Sequence, residues 1–303
     1  MAISAHKLEQ ALSRVPKIAA AVKRMMLDPS YRGVISAAQA AELEQQSGMN
    51  AWQLAYSLVP AAQLYAVTPI SNYNVGAVAV GLSGALYYGA NLEVAGQALS
   101  FTLHAEQSAT SNAWINGEQG LNYLAISAAP CGYCRQFLYE LVDAATLQIV
   151  LPDASGNPEP ELLTNYLPDA FGPADLGIQG GLMQPQINGV TVAGTLDPTA
   201  MAALGAANAA YCPYTKSFAG VALLTANGTI CVGQYAENAA YNPAMSPLEA
   251  ALSQVAFTGQ NWSAITEAAL VQAPGLADQT GATETLLGSV TNVPLSIYPG
   301  TVG

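Results

Sequence analysis

At 303 residues, with 51% hydrophobic content and only 9% charged side chains, the chain has material for two compact domains with buried cores. Eight Lys and Arg face twenty Asp and Glu, a formal charge of −12, and six of the eight bases (Lys7, Arg14, Lys17, Lys23, Arg24, Arg32) lie in the N-terminal stretch. This balance argues against a nucleic-acid-binding surface, which needs Lys and Arg to neutralise phosphates, and no apolar run reaches the roughly 20 residues of a membrane span.

Residues 1–48 read as a small helical appendage, with Leu8, Leu12, Val15, Ile18, Ala19 and Val22 near helical spacing and a break at Asp28-Pro29. Its bases fit a solvated helix face. The opening Met1-Ala2-Ile3-Ser4-Ala5-His6-Lys7 lacks the apolar core of a signal peptide, and four cysteines in so long a chain fit a reducing compartment; together they predict a cytoplasmic address. A helix from about Trp52 to Ala66 leads into a strand-turn-strand stretch with Gly84 at its turn. Past Gly89-Ala90, Asn91 and Glu93 alternate by two on an extended segment, so an amide and a carboxylate project to one side and suit a sugar diol.

Next comes His104-Ala105-Glu106 and, twenty-four positions past the glutamate, Pro130-Cys131-Gly132-Tyr133-Cys134. One imidazole, two thiols and a carboxylate are the inventory of a hydrolytic zinc site: three metal ligands, an open position for water, and a group to move its proton. The handful of other candidates (His6, Cys212, Cys231) offers no closely spaced fourth ligand, so catalysis fits better than scaffolding. A Cys-x-x-Cys pair alone also suits a redox couple or half of a structural zinc site. The redox reading lacks its βαβ context and leaves His104 and Glu106 unexplained. The residues from Arg135 to Leu141 read as a helix whose free N–H groups keep the thiolates ionised, with Arg135 a possible partner of those thiolates. Cys212 and Cys231, with no His or Cys nearby, read as small buried residues.

Pro152 to Asn157, with Pro158 and Pro160, reads as a loop, and about 160–190 as a connector. Beyond it the chain repeats itself. At an offset of 144, Pro69 matches Pro213, Gly76 Gly220, Gly84 Gly228, Gly89 Gly233 and Glu93 Glu237; after a one-residue deletion, Glu106 aligns with Glu249. Pro247 then stands where His104 should be and no cysteine follows Cys231, so the second copy cannot hold the metal. The expected units are a helical region 1–48, a catalytic domain 49–158, a connector 159–190 and a degenerate copy 191–303. Alternating strands and helices predict an α/β fold, a three-layer α/β/α sandwich present twice.

Read together, Asn72-Tyr73-Asn74-Val75-Gly76, Gly89-Ala90-Asn91-Leu92-Glu93, His104-Ala105-Glu106 and Pro130-Cys131-Gly132-Tyr133-Cys134-Arg135-Gln136 resemble the cytidine deaminases, in particular the long two-domain bacterial homodimers. The resemblance runs through nearly the whole chain. It implies one catalytic Zn2+ per subunit on His104, Cys131 and Cys134, with Glu106 as proton shuttle. It also implies that the segment Asn91-Leu92-Glu93 holds the ribose, that the ring of Tyr73 lies against the base, and that backbone groups near Ala105 and Ala129 read the pyrimidine edge. Tyr73 stands where the family often has phenylalanine. Tyr166-Leu167-Pro168-Asp169-Ala170-Phe171-Gly172-Pro173 resembles the family segment whose aromatic closes over the base, which assigns that place to Phe171. The implied substrates are cytidine and deoxycytidine, deaminated to uridine and deoxyuridine in pyrimidine salvage. The implied assembly is a homodimer in which the degenerate domain of one subunit covers the active site of the other; Tyr235-Ala236-Glu237-Asn238-Ala239-Ala240-Tyr241 reads equally as the contact for that or as plain domain core. Rival readings are a deaminase of another aminated ring and a non-enzymatic zinc-stabilised module.

Overall fold

The structure is a computed structural model and describes residues 3–153 and 155–303. The helices α1 (Ala5–Ala11), α2 (Pro16–Met26), α3 (Ala37–Ser47) and α4 (Ala51–Ala62) come first, and between α2 and α3 lies the short strand β1 (Val34–Ile35). Ser36 with Gln39 and Asn50 with Gln53 form capping boxes that start α3 and α4. Helix α4 gives way after Ala62 to a 3-10 turn, Gln63–Tyr65, so the expected helix to Ala66 is real but tightens over its last turn.

The first sheet adds β2 (Gly76–Gly81), β3 (Leu86–Ala90), β4 (Leu121–Ile126), β5 (Gln148–Pro152) and β6 (Pro158–Leu162) to β1, in the order β1-β3-β2-β4-β5-β6. Strands β4 and β5 are parallel and the other neighbours antiparallel. The alternation of β2 explains the layering: Val78 and Val80 pack with Leu54 and Leu58 of α4. Ala77 and Ala79 pack on the other face with Ala105, Ala109 and Phe137, residues of α5 (Ala105–Ile115) and α6 (Gly132–Leu138). Strand β6 crosses the expected boundary at 158 and takes Pro158 and Pro160 out of the expected loop; they are tolerated because β6 is the outermost strand, where the N–H that proline lacks is not needed. Helix α7 (Leu163–Tyr166) then leads away from the sheet.

The second sheet repeats the pattern with β7 (Val190–Val192), β8 (Ala219–Thr225), β9 (Ile230–Gln234), β10 (Ile265–Gln272) and β11 (Leu295–Val302), ordered β7-β11-β10-β8-β9. Its β8 has Ala222 against α8 (Pro198–Ala209) on one face. Val221 and Leu223 face α9 (Pro247–Phe257) and α10 (Thr280–Val290) on the other. Both hairpins turn at a glycine of positive φ, Gly84 (φ 85°) and Gly228 (φ 81°). The chain is therefore a duplicated α/β sandwich with mixed sheets.

The two sandwiches meet through α5 and α9, both buried almost throughout, with the Ser108 and Ser253 hydroxyls 2.7 Å apart at the crossing. Each of these helices lies tight on its own sheet over a glycine: a Cβ on Gly89 of β3 would lie 2.3 Å from the Ala105 carbonyl oxygen of α5, and one on Gly233 of β9 1.9 Å from that of Pro247 of α9. The N-terminal region is more than an appendage. Leu8, Leu12, Ile18 and Val22 share the core of α4 and the first sheet, β1 pairs with β3, and Arg32 donates to the Thr229 hydroxyl of the second hairpin at 3.0 Å. Among the described residues no helix is long and apolar enough to cross a membrane.

Candidate metal centre and active site

Two helix starts converge on the motif. His104 is the N-cap of α5, extended at φ −83°, ψ 157°, and its N–H donates to the Gln107 Oε1 at 3.2 Å. Cys131, at φ −70°, ψ 167°, is the N-cap of α6, and Cys134 sits one turn in and fully buried. Their free N–H groups and positive dipole ends favour anionic ligands. The Sγ atoms of Cys131 and Cys134 are 3.7 Å apart, and His104 Nδ1 lies 3.7 Å and 3.2 Å from them. With Zn–S near 2.3 Å and Zn–N near 2.0 Å, one face of a tetrahedral zinc site has edges of about 3.5–3.8 Å. The triangle fits that face closely. Among the described residues no fourth His, Cys, Asp or Glu joins the cluster, which leaves the remaining position for a small ligand.

The titration of the cluster suits a metal. The Cys134 thiol beside it holds Cys131 down, to about 5, while the same contact and burial push Cys134 up, so the pair share a proton that a metal would displace. Glu106, second residue of α5 and only 4% exposed, has its carboxyl pushed up, chiefly by burial. A carboxylate raised toward neutrality beside an open metal position can both take and return a proton.

The neighbouring sequence-predicted residues divide their work. Asn91 Oδ1 accepts the Val75 N–H at 2.8 Å and its Nδ2 donates to the Tyr73 carbonyl at 2.9 Å, which fixes the turn presenting the 61%-exposed Tyr73. Glu93 accepts the N–H groups of Ile70 and Ser71, each at 2.9 Å, and the Ser71 hydroxyl. Burial raises its carboxyl, but the bonds from Ser71 and Ile70 outweigh this and leave it below the ordinary range. Leu92 differs from its neighbours: its side chain is in the core and its backbone exchanges both hydrogen bonds with Leu103, so it aligns the segment. Ala105 is buried at the start of α5, and Ala129 is exposed just before Pro130. Phe171 is 44% exposed on the loop after α7, tied to α6 by Gln136 Nε2 donating to its carbonyl at 3.0 Å.

Arg135 does not meet the thiolates. Its guanidinium donates to the carbonyls of Pro130 and Tyr166 at 2.8 Å and 2.9 Å and lies over the Tyr166 ring, because its place on α6 points it away from the metal triangle. Cys212 and Cys231 are buried core residues.

Two family descriptions match the chain, both for the cytidine and deoxycytidylate deaminase zinc-binding region, at residues 49–149 and 163–283. Cytidine deaminases are similar over most of its length: that of Cronobacter sakazakii is 42% identical over 95% of this chain and 98% of its own. That of Aeromonas salmonicida is 43% identical over 88% and 90%, and that of Yersinia pestis 46% over 83% and 84%. The chain belongs to the cytidine deaminase family. Zinc is the metal that the family's description names and that this donor set fits.

The second match falls on the degenerate half, and superposing the repeat by its own contacts corrects the sequence register. The bridges Val67 to Leu92 to Leu103 recur as Tyr211 to Ala236 to Met245, at offsets of 144, 144 and 142. Two residues, not one, are deleted before the helix. Ser246, the N-cap of α9, therefore replaces His104; Leu248 replaces Glu106; and Glu249 replaces Gln107, accepting the Ser246 N–H at 3.2 Å as Gln107 accepts that of His104. The strand pairs Ala77 to Ile126 and Val221 to Leu270 keep the offset of 144 to the end of β10, so Ala273-Pro274-Gly275 falls on Ala129-Pro130-Cys131 and Gly275 stands at the place of Cys131. Ligands and proton carrier are all lost from that half.

The run 235–241 lies mostly in its own domain, as the domain-core reading of it expects. Tyr235, Glu237, Asn238 and Ala239 are buried within their own chain, against the end of α6, and Tyr241 alone of its aromatics stays 66% exposed. Sequence reasoning passed over Glu140, which is fully buried there. Its signal was a carboxylate closing an apolar helix run, Phe137-Leu138-Tyr139, where a solvated acid is not expected.

Proposed function

We propose that the chain catalyses hydrolytic deamination of cytidine and deoxycytidine to uridine and deoxyuridine, with release of ammonia. The convergence of His104, Cys131, Cys134 and a buried Glu106 with raised pKa carries the reading. Zinc held on the triangle supplies the Lewis acidity that makes a water reactive at neutral pH. Glu106 takes a proton from the attacking water and delivers it to N3 of the cytosine ring; it then takes the proton of the hydroxyl now on C4 and passes it to the 4-amino group, which leaves as ammonia. Asn91 and Glu93 orient the sugar from the 70–75 loop they hold, Tyr73 flanks the base, and backbone groups of Ala105 and Ala129 meet the pyrimidine edge. Phe171 closes the site.

The reading extends to a homodimer in pyrimidine salvage in the cytoplasm. The exposed Tyr73, Leu99, Phe171 and Tyr241, all on segments beside the site, support a second copy covering it. The test is loss of cytidine absorbance with zinc-loaded wild type beside Glu106→Gln. Turnover by wild type alone is expected. Equal silence of both, with zinc bound, refutes the substrate, and equal activity of both refutes the role of Glu106.

A further inference from the structure

The helix that carries both thiolates is too short to hold itself in place. Helix α6 has seven residues, under two turns, and isolated helices of that length are unstable in water. Its position must come from what it touches. At its start, the Tyr133 hydroxyl donates to the carbonyls of Asn242 and Ala244 at 2.9 Å and 3.3 Å, while the Tyr133 ring stacks on His104 with centroids 5.8 Å apart. In its middle, Asn238 Nδ2 donates to the Gln136 carbonyl at 2.9 Å. Just past its end, the buried Glu140 carboxylate accepts from the hydroxyls of Tyr211 (2.8 Å) and Tyr214 (2.6 Å) and from the Ala239 N–H (2.8 Å). Asn238, Asn242, Ala244, Tyr211, Tyr214 and Ala239 all belong to the inactive half of the same chain.

We propose that Glu140 is a positioning residue: it registers the thiolate helix on the inactive copy, so that the half without ligands sets the geometry of the metal triangle in its own chain. The inference rests on the metal-site reading above. A carboxylate buried this completely is costly unless every lone pair facing protein is used, and three donors meet it. Two of them, Tyr211 and Tyr214, sit on the loop that Glu237 holds by accepting the Tyr214 and Thr215 N–H groups at 2.8 Å and 3.0 Å. The contact therefore joins two rigid bodies rather than two flexible loops. A shift of a few tenths of an ångström in α6 changes the Sγ and Nδ1 separations on which a three-ligand site depends.

The test is the rate of zinc release from the loaded full-length protein to a chromophoric chelator, without substrate, so the result is independent of what the enzyme deaminates. Glu140→Ala and the double variant Tyr211→Phe/Tyr214→Phe are compared with Glu118→Gln. Glu118 is a buried carboxylate that accepts from Ser83 and Tyr87 inside the catalytic hairpin and touches nothing on α6. Release about 10- to 100-fold faster is expected for the Glu140 and tyrosine variants, and at the wild-type rate for Glu118→Gln. With cytidine, kcat should fall in the tyrosine pair while KM stays near wild type. Wild-type release from the tyrosine pair, with a fall in Tm like that of Glu118→Gln, overturns the proposal and leaves Glu140 as interdomain adhesive. If Glu140→Ala does not fold, the tyrosine pair decides alone, since it removes two hydroxyls and leaves the rings packed.

Discussion

Glu93 and Glu237 do the same work in the two halves of the molecule. Each accepts two consecutive backbone N–H groups and one hydroxyl: Ile70, Ser71 and the Ser71 side chain in the first, Tyr214, Thr215 and the Thr215 side chain in the second. Yet one half keeps a metal triangle and a proton carrier, and the other has Ser246 at the place of His104, Leu248 at that of Glu106 and Gly275 at that of Cys131. The difference separates two layers of design that are usually read as one. Loop-holding survives without catalysis because the fold needs it, so a residue credited with substrate binding can owe its presence first to the backbone beside it.

The comparison breaks most sharply at the proton carrier. Glu106→Gln should lower kcat by about 10³-fold or more while zinc content, by metal analysis, is unchanged, whereas Glu249→Gln should leave kcat within about twofold. Equal losses would mean that the two halves share the chemistry. Removing zinc by chelation should come next: amide exchange should accelerate in α6 and the start of α5 and stay constant in α9 and α10. Uniform acceleration would show that the metal stabilises both halves.

The glutamate pair sharpens the comparison. Glu93→Ala and Glu237→Ala each strand two backbone N–H groups and a hydroxyl, so each should cost about 2 kcal/mol or more in urea unfolding. Only Glu93→Ala should also raise KM for cytidine. A raised KM in both, or in neither, would remove the sugar-binding assignment.

The smallest effect is one of pH. Burial pushes the Glu249 carboxyl up to about 7 from an ordinary value near 4.5. A carboxyl raised on folding binds a proton more tightly in the native state, so it costs stability as pH climbs between those two values. Glu249→Gln should thus raise Tm above pH 7, and the gain should vanish by about pH 4.5. A gain independent of pH would point to packing instead of charge.

The sequence exposed the chemistry better than the mechanics. His104, Glu106, Cys131 and Cys134 announce themselves because metal binding demands particular atoms at particular spacings, and the hairpins show because glycine is needed where φ is positive. The sequence match sets the register of α9 one residue off: Glu249 looks like the heir of Glu106 until the capping box with Ser246 shows it to be the heir of Gln107. Short polar matches cannot distinguish adjacent positions on a helix start, whereas the backbone bridges can. The roles of Arg135 and Glu140 depend on which side of a seven-residue helix faces the other half, and no periodicity can reveal that over so few turns. The N-terminal region reads as an appendage because its helices are amphipathic by themselves, and a two-residue strand such as β1 leaves almost no pattern.

That strand and its flanks have a consequence for how the chain is made. Arg32 reaches the hydroxyl of Thr229, 197 positions later, and the Asn112 amide holds the Gly33 carbonyl at 3.0 Å, with the Phe257 ring hard against Gly33. During synthesis β1 can pair with β3 and meet Asn112 as soon as the first half has emerged, but the bond from Arg32 to Thr229 and the Phe257 wall beside Gly33 wait for the second hairpin and α9. Residues 32 and 33 are therefore fixed in two stages, first by their own half and then by its copy.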